Sequence, residues 1–138
     1  MDIENDLFKE YKEYITSKVD YKIKVLPKVP QTLSTFPTII FIESSNAESI
    51  QNSSMNGLEY VDLLLYTIEI YTKDIVYKGE TIPSREMLQT LKQHTFEFFR
   101  QIGFNRMSCN RGEYPDYAVD RLIIIEQGKI NNWNKYII

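Results

Sequence analysis

The stretch Glu59–Lys73 carries the longest strand pattern in the chain, and its two faces differ. By the two-residue alternation of a β-strand, Tyr60, Leu64, Tyr66, Ile68 and Ile70 share one face. The opposite face is apolar through Val61, Leu63 and Leu65, then mixed through Thr67, Glu69, Tyr71 and Lys73. This pattern predicts cover on both sides of the first half and on one side only of the second. Tyr117–Gln127 repeats the two-sided character, with Ile123 and Ile125 facing one way and Leu122 and Ile124 the other. A chain with two such strands must build its core on a sheet.

The remaining elements are arranged around these strands. Residues 3–18 predict an amphipathic helix, because Ile3, Leu7, Phe8, Tyr11, Tyr14 and Ile15 recur at spacings of three and four. Tyr21–Leu26 alternates as a short strand ended by Pro27 and Pro30, and Pro37 opens the strand Thr38–Glu43. Ser44–Gly57 is a long loop rich in Ser and Asn, with Ile50 and Met55 its large apolar residues. A turn near Lys78-Gly79 leads to a second helix opened by Pro83-Ser84. Its stripe is Leu88, Leu91, Thr95, Phe98, Phe99 and Ile102, and Gly103 stops it. Phe104–Cys109 is a further strand, Asn110–Asp116 a turn, and Gly128 ends the last strand ahead of the tail 131–138. The expected fold class is α+β: one domain over residues 1–138, a mostly antiparallel sheet of about five strands, and both helices packed on one face.

Charge and cysteine usage narrow the function classes. The formal net charge is −3, and no Lys/Arg cluster exceeds mixtures such as Lys22, Lys24 and Lys28. A protein that grips nucleic acid normally presents a basic face, so direct recognition of DNA or RNA is disfavoured. The single cysteine, Cys109, cannot form an intrachain disulfide and suits a reducing compartment. No apolar run approaches the roughly 20 residues of a membrane span. MDIENDLFKEYKEY is acidic where a signal peptide is basic and apolar, so synthesis in the cytoplasm is expected.

Candidate chemistry is sparse. His94 stands alone mid-helix with no second His or Cys near it in sequence, which leaves little to build a zinc site from. Cys109 lacks a nucleophile signature. The glycines form no phosphate-binding spacing. Asp116, Glu126 and Lys129 loosely resemble the acid, acid, lysine set of a metal-dependent nuclease, but Glu126 and Lys129 are three apart and point to opposite strand faces. Glu43, Asp62, Glu69, Asp120 and Glu126 are expected at solvent-facing or interface positions, where charge guards strand edges. No catalytic residue, cofactor or metal is expected.

The apolar excess of Val61–Leu65 and Leu122–Ile125, with Trp133, Tyr136, Ile137 and Ile138 beyond the last strand, points to burial against a partner. The expected interface comprises Ile50, Met55, Val61, Leu63, Trp133, Tyr136, Ile137 and Ile138. A homo-oligomer is the economical way to cover such a surface.

The arrangement resembles the tail terminator (tail-completion) proteins of long-tailed bacteriophages over most of the chain. The resemblance is carried by the N-terminal helix, the strand led by Phe36-Pro37, and the central strand ending Ile70-Tyr71-Thr72-Lys73. It continues in the helix closing on Gln101-Ile102-Gly103-Phe104-Asn105-Arg106 and the final strand Asp120–Gly128. It implies a hexameric ring that caps the tail tube, stops its polymerisation and joins it to the head connector protein. It also implies a location in the neck of the virion after assembly in the host cytoplasm, with DNA passing through the lumen without specific binding. Ser44–Gly57 is the segment expected to order against tube or connector. Other head–tail joining rings, a small metal-dependent nuclease and a regulatory binding module are the alternatives.

Overall fold

A computed structural model describes residues 3–48 and 61–131, with the side chains of 7–43 and 65–128. Helix α1 spans Ile3–Ser17 and α2 spans Ser84–Gln101. The strands are β1 Lys24–Leu26, β2 Thr38–Glu48, β3 Val61–Thr72, β4 Ile75–Tyr77, β5 Glu80–Ile82, β6 Asn105–Gly112 and β7 Asp120–Asn131. Five strands form one sheet in the order β1-β2-β3-β7-β6, and β4 and β5 form a separate hairpin. The sheet is mixed. β1 runs parallel to β2, while β2–β3, β3–β7 and β7–β6 pair antiparallel. The parallel step follows from chain length, because the Pro-containing segment 27–37 carries the chain back to start β2 alongside β1 rather than turning it in a hairpin.

Alternation on the paired strands fixes two faces. On one, Ile39, Phe41, Tyr66, Ile68, Ile70, Leu122 and Ile124 join Leu7, Tyr11 and Ile15 of α1 and Leu88, Leu91, Phe98 and Phe99 of α2 in a single core. Aromatic rings dominate it. Phe41 lies 5.0 Å from Tyr66 and 5.1 Å from Tyr11 between ring centroids, and Phe99 lies 5.3 Å from Phe104. Rings at such distances add attraction beyond the area they bury. The helices are also tied to each other by polar groups, since Tyr11 Oη lies 2.8 Å from Thr95 Oγ1 inside the core. Burial of the Tyr11 phenol drives its pKa far upward, so the hydroxyl stays protonated.

The start of α2 is pinned to the sheet. Asp74 Oδ1 accepts the Ser84 backbone N–H at 2.7 Å, meeting one of the free amides of the first helical turn. The Ser84 hydroxyl lies 2.8 Å from Thr72 Oγ1 and donates to Asp120 Oδ2 at 2.7 Å, and Arg111 donates to the other oxygen of Asp120 at 2.6 Å. These contacts join β3, β6, β7 and α2 at one end of the fold. At the opposite end Gly128 makes room for Phe104, because a Cβ there would sit 2.4 Å from the ring.

Several elements are longer than the residue patterns predict. β2 runs past Glu43 to Glu48, into the polar segment taken as loop, after a register shift between Glu43 and Ser45. β6 continues to Gly112 and β7 passes through Gly128 to Asn131, because pairing of β7 to β3 and of β6 to β7 carries each beyond its apolar residues. The Lys78-Gly79 turn is the tip of the β4–β5 hairpin, with both residues at positive φ as a tight two-residue hairpin turn requires.

Candidate interaction surface

The second face of the sheet is built in rows across four strands. One row is Ile42, Thr67, Ile125 and Ser108, and the next is Ile40, Glu69, Ile123 and Asn110. The third is Thr38, Tyr71, Arg121 and Gly112. Connecting segments cover the end of this face nearest the third row. Ile40, Tyr71 and Val119 are buried there under Leu33, Phe36 and Tyr114, with Ile42 of β2 packed at their margin. The cover is tied down. Arg121 Nη1 donates to the Glu113 carbonyl at 3.2 Å, Lys73 pairs with Asp116 at 3.5 Å, and Tyr114 packs edge-on against Tyr71. The Ala118 backbone N–H, donated at 2.9 Å, and then Lys73 hold the Asp116 carboxyl below its ordinary pKa.

This cover corrects one expectation. The second half of β3 is enclosed on both sides: Ile70 is fully buried, and Glu69 and Tyr71 on the other face are 8% and 6% exposed. Arg121 is the reason a carboxylate can lie there. Its guanidinium clamps Glu69 Oε1 through Nε at 2.9 Å and through Nη2, and the Tyr71 hydroxyl donates to the same oxygen at 2.7 Å. Burial and then the Glu69 carboxylate push the Tyr71 phenol up to about 12. Toward the other end of the face, Ile42, Leu65, Thr67, Ile123 and Ile125 are only half-buried, and no helical residue joins the cluster beside them.

Sheet edges offer no comparable surface. β1 is three residues long, and β6 carries Asn105, Arg106, Ser108, Asn110 and Arg111 with a register shift at Met107. Short, charged and bulged edges resist strand addition. Met107 itself is 57% exposed, and Tyr117 at the tip of the 113–119 segment is fully exposed.

Of the expected interface residues, Val61 and Leu63 lie on β3, paired with Asn131 and Lys129 of β7. Ile50, Met55, Trp133, Tyr136, Ile137 and Ile138 fall outside the described residues. The nuclease-like set is not assembled. Asp116 is exposed in the segment before β7, whereas Glu126 lies six residues inside that strand from Asp120, about 20 Å along it. Among the described residues no group of three His, Cys, Asp or Glu could hold a metal ion. His94 Nδ1 is buried without a hydrogen bond, 3.8 Å from Glu97 Oε2, and Cys109 packs half-buried against the main core.

The sequence reading missed two buried acids, since Glu69 and Glu126 were both placed at solvent-facing or interface positions. Glu126 is 2% exposed on the helix-facing side, in the row Glu43, Tyr66, Glu126 and Arg106. Its signal was present in the alternation, which puts it in phase with Leu122 and Ile124. Burial pushes its carboxyl up to about 7, with Arg106 pulling the other way.

Together these features define an α+β sheet domain with one aromatic core and a half-open apolar second face. No model of a known protein family matches the chain, and no curated protein is similar to it in sequence. No helix among the described residues is long and apolar enough to cross a membrane.

Proposed function

We propose that the chain is a structural subunit that acts by assembling with copies of itself, as a tail terminator of a long-tailed bacteriophage. In this reading the two helices form one layer on one side of the sheet. The open part of the other face, centred on Ile42, Leu65, Ile123 and Ile125, meets the neighbouring subunit. The half-burial of these four aliphatic residues carries the reading, because large apolar side chains grouped on one face of a sheet are normally covered. Repetition of one heterologous contact closes a ring when its rotation closes. A hexameric ring would cap the tail tube, halt its growth and present a surface to the head connector, without catalysis or cofactor. The net charge of −3 suits a lumen through which DNA slides without adhering.

Light scattering over a concentration series, alone and then with purified tail tubes, tests the reading. A closed species of about six subunits, or binding confined to one end of the tube, supports it. A monomer at every concentration that ignores tubes overturns it.

A further inference from the structure

Glu126 forms part of the wall of a pocket of about 410 Å³ between α2 and the β6–β7 edge, shared with Phe96, Glu97, Arg100, Phe104 and Arg106. The glutamate is 2% exposed, yet no hydrogen bond to its carboxyl comes from any described residue. A carboxyl that opens onto a cavity and takes no donor from the described residues marks a place where a donor fits. Its cross-strand neighbour Arg106 does not fill the role. That guanidinium stacks on Phe96, 4.1 Å from the ring centroid, and forms no ion pair with Glu126. Arg100 likewise has no acidic partner among the described residues. Glu97, the other acid of the wall, has one oxygen engaged, by the Tyr14 hydroxyl at 3.2 Å, with His94 Nδ1 3.8 Å from the same oxygen.

The wall therefore presents an unmet carboxyl, two guanidinium groups without carboxylates, and two aromatic rings. We propose that this pocket binds a small zwitterion with an apolar body, the chemistry of an α-amino acid. The ammonium group donates to the Glu126 carboxyl. The carboxylate is held by Arg100 and Arg106, whose planar forks suit it. The apolar body lies against Phe96 and Phe104. The site is on the helix side of the sheet and needs no second subunit, so it stands or falls independently of the assembly reading.

The full chain, labelled with ¹³C at glutamate side-chain carboxyls, is titrated by NMR with L-leucine, L-leucinamide and N-acetyl-L-leucine. Leucinamide keeps the ammonium without the carboxylate, and the acetylated form keeps the carboxylate without the ammonium. Leucine is expected to shift the Glu126 carboxyl signal to saturation, with each blocked form at least about tenfold weaker. E126Q removes the acceptor charge. R100Q alters an exposed residue with no ion pair among the described residues, and so keeps the test sound should E126Q fail to fold. Each variant is expected to weaken leucine binding by about tenfold. A blocked form that binds as tightly as leucine, or no shift with leucine up to its solubility limit, overturns the proposal.

Discussion

Among the described residues the two faces of the sheet each bury one glutamate, and they treat it in opposite ways. On the second face Glu69 is clamped by Arg121 and receives the Tyr71 hydroxyl, so its charge is met by donors on neighbouring strands. On the helix-facing side Glu126 has a cross-strand arginine too, but Arg106 is drawn onto Phe96 and the carboxyl is left at the wall of a pocket. Both acids occupy strand positions opposite or next to an arginine. What separates them is where each arginine finds its better partner. A pair of opposite charges in register is thus not a salt bridge until the surroundings of both side chains agree.

Breaking the clamp is expected to have the largest effect. Arg121→Met keeps most of the aliphatic stem while leaving Glu69 buried without its counter-charge. Removing one partner of a buried pair typically costs about 3–5 kcal/mol. Urea unfolding monitored by circular dichroism is expected to show a much lower midpoint with an unchanged slope. The double variant Arg121→Met with Glu69→Leu is expected to recover much of that loss, because the stranded charge is then gone. A single variant with wild-type stability would mean that Glu69 is not held by Arg121.

Glu126 is expected to respond in the other direction and more weakly. Its folded-state pKa of about 7 lies above the ordinary 4.5. Below pH 4.5 both folded and unfolded chains hold the proton. Between the two values the unfolded chain releases it first, so stability falls as pH rises and the loss is complete above about 7. The charged groups nearest the site are Arg106 on β6 and Glu97 and Arg100 on α2, with the Tyr66 phenol on β3 and Glu43 on β2 in the same row. Glu126→Gln removes the titration. The variant is expected to be flatter across this window and about 1–2 kcal/mol more stable than wild type at pH 8, after allowance for water at the pocket mouth. Unfolding midpoints at pH 4.5, 6 and 8 check this, and a parallel fall in both proteins would show that another group is responsible.

The contrast also marks what could be inferred from the residue pattern. Leu7, Tyr11 and Ile15 of α1 and Leu88, Leu91, Phe98 and Phe99 of α2 lie in the core as their spacing predicts. The antiparallel pairing of β2 with β3 follows from two strand patterns joined through a polar segment. The parallel β1 was not legible, because three residues carry no directional signal. The register shift in β2 was hidden as well, since Ser44–Glu48 lacks the apolar alternation that identifies a strand. The acids show a different failure. Glu69 and Glu126 were assigned by residue type, although the phase of Glu126 with Leu122 and Ile124 pointed inward; Glu69 lies on the mixed face, where the alternation carried no such signal. Whether an arginine reaches them depends on Phe96 and Tyr71, which are remote in sequence from Arg106 and Arg121 respectively.

Tyr71 offers the finest test of the clamp, because one atom can be removed from it. Tyr71→Phe keeps the ring that packs against Tyr114 and beneath the Arg121 guanidinium, and deletes only the hydroxyl donated to Glu69. Arg121 remains, so the carboxylate is not stranded, and the expected cost is about 1.5 kcal/mol, the lower end of the range for a hydrogen bond to a charged group. A second signature separates this from lost packing. The Tyr71 phenol is pushed from 10.0 up to about 12 in the folded chain. Between those values the unfolded chain ionises first, so stability present below pH 10 is lost as pH rises through about 12. Tyr11, Tyr14 and Tyr21 are also raised and contribute to the alkaline fall in both proteins. The gap between wild type and Tyr71→Phe is therefore the readout: it is expected to narrow as pH climbs from 10 toward 12. A gap that stays constant through that range would assign the loss to packing and detach Tyr71 from the glutamate it is drawn beside.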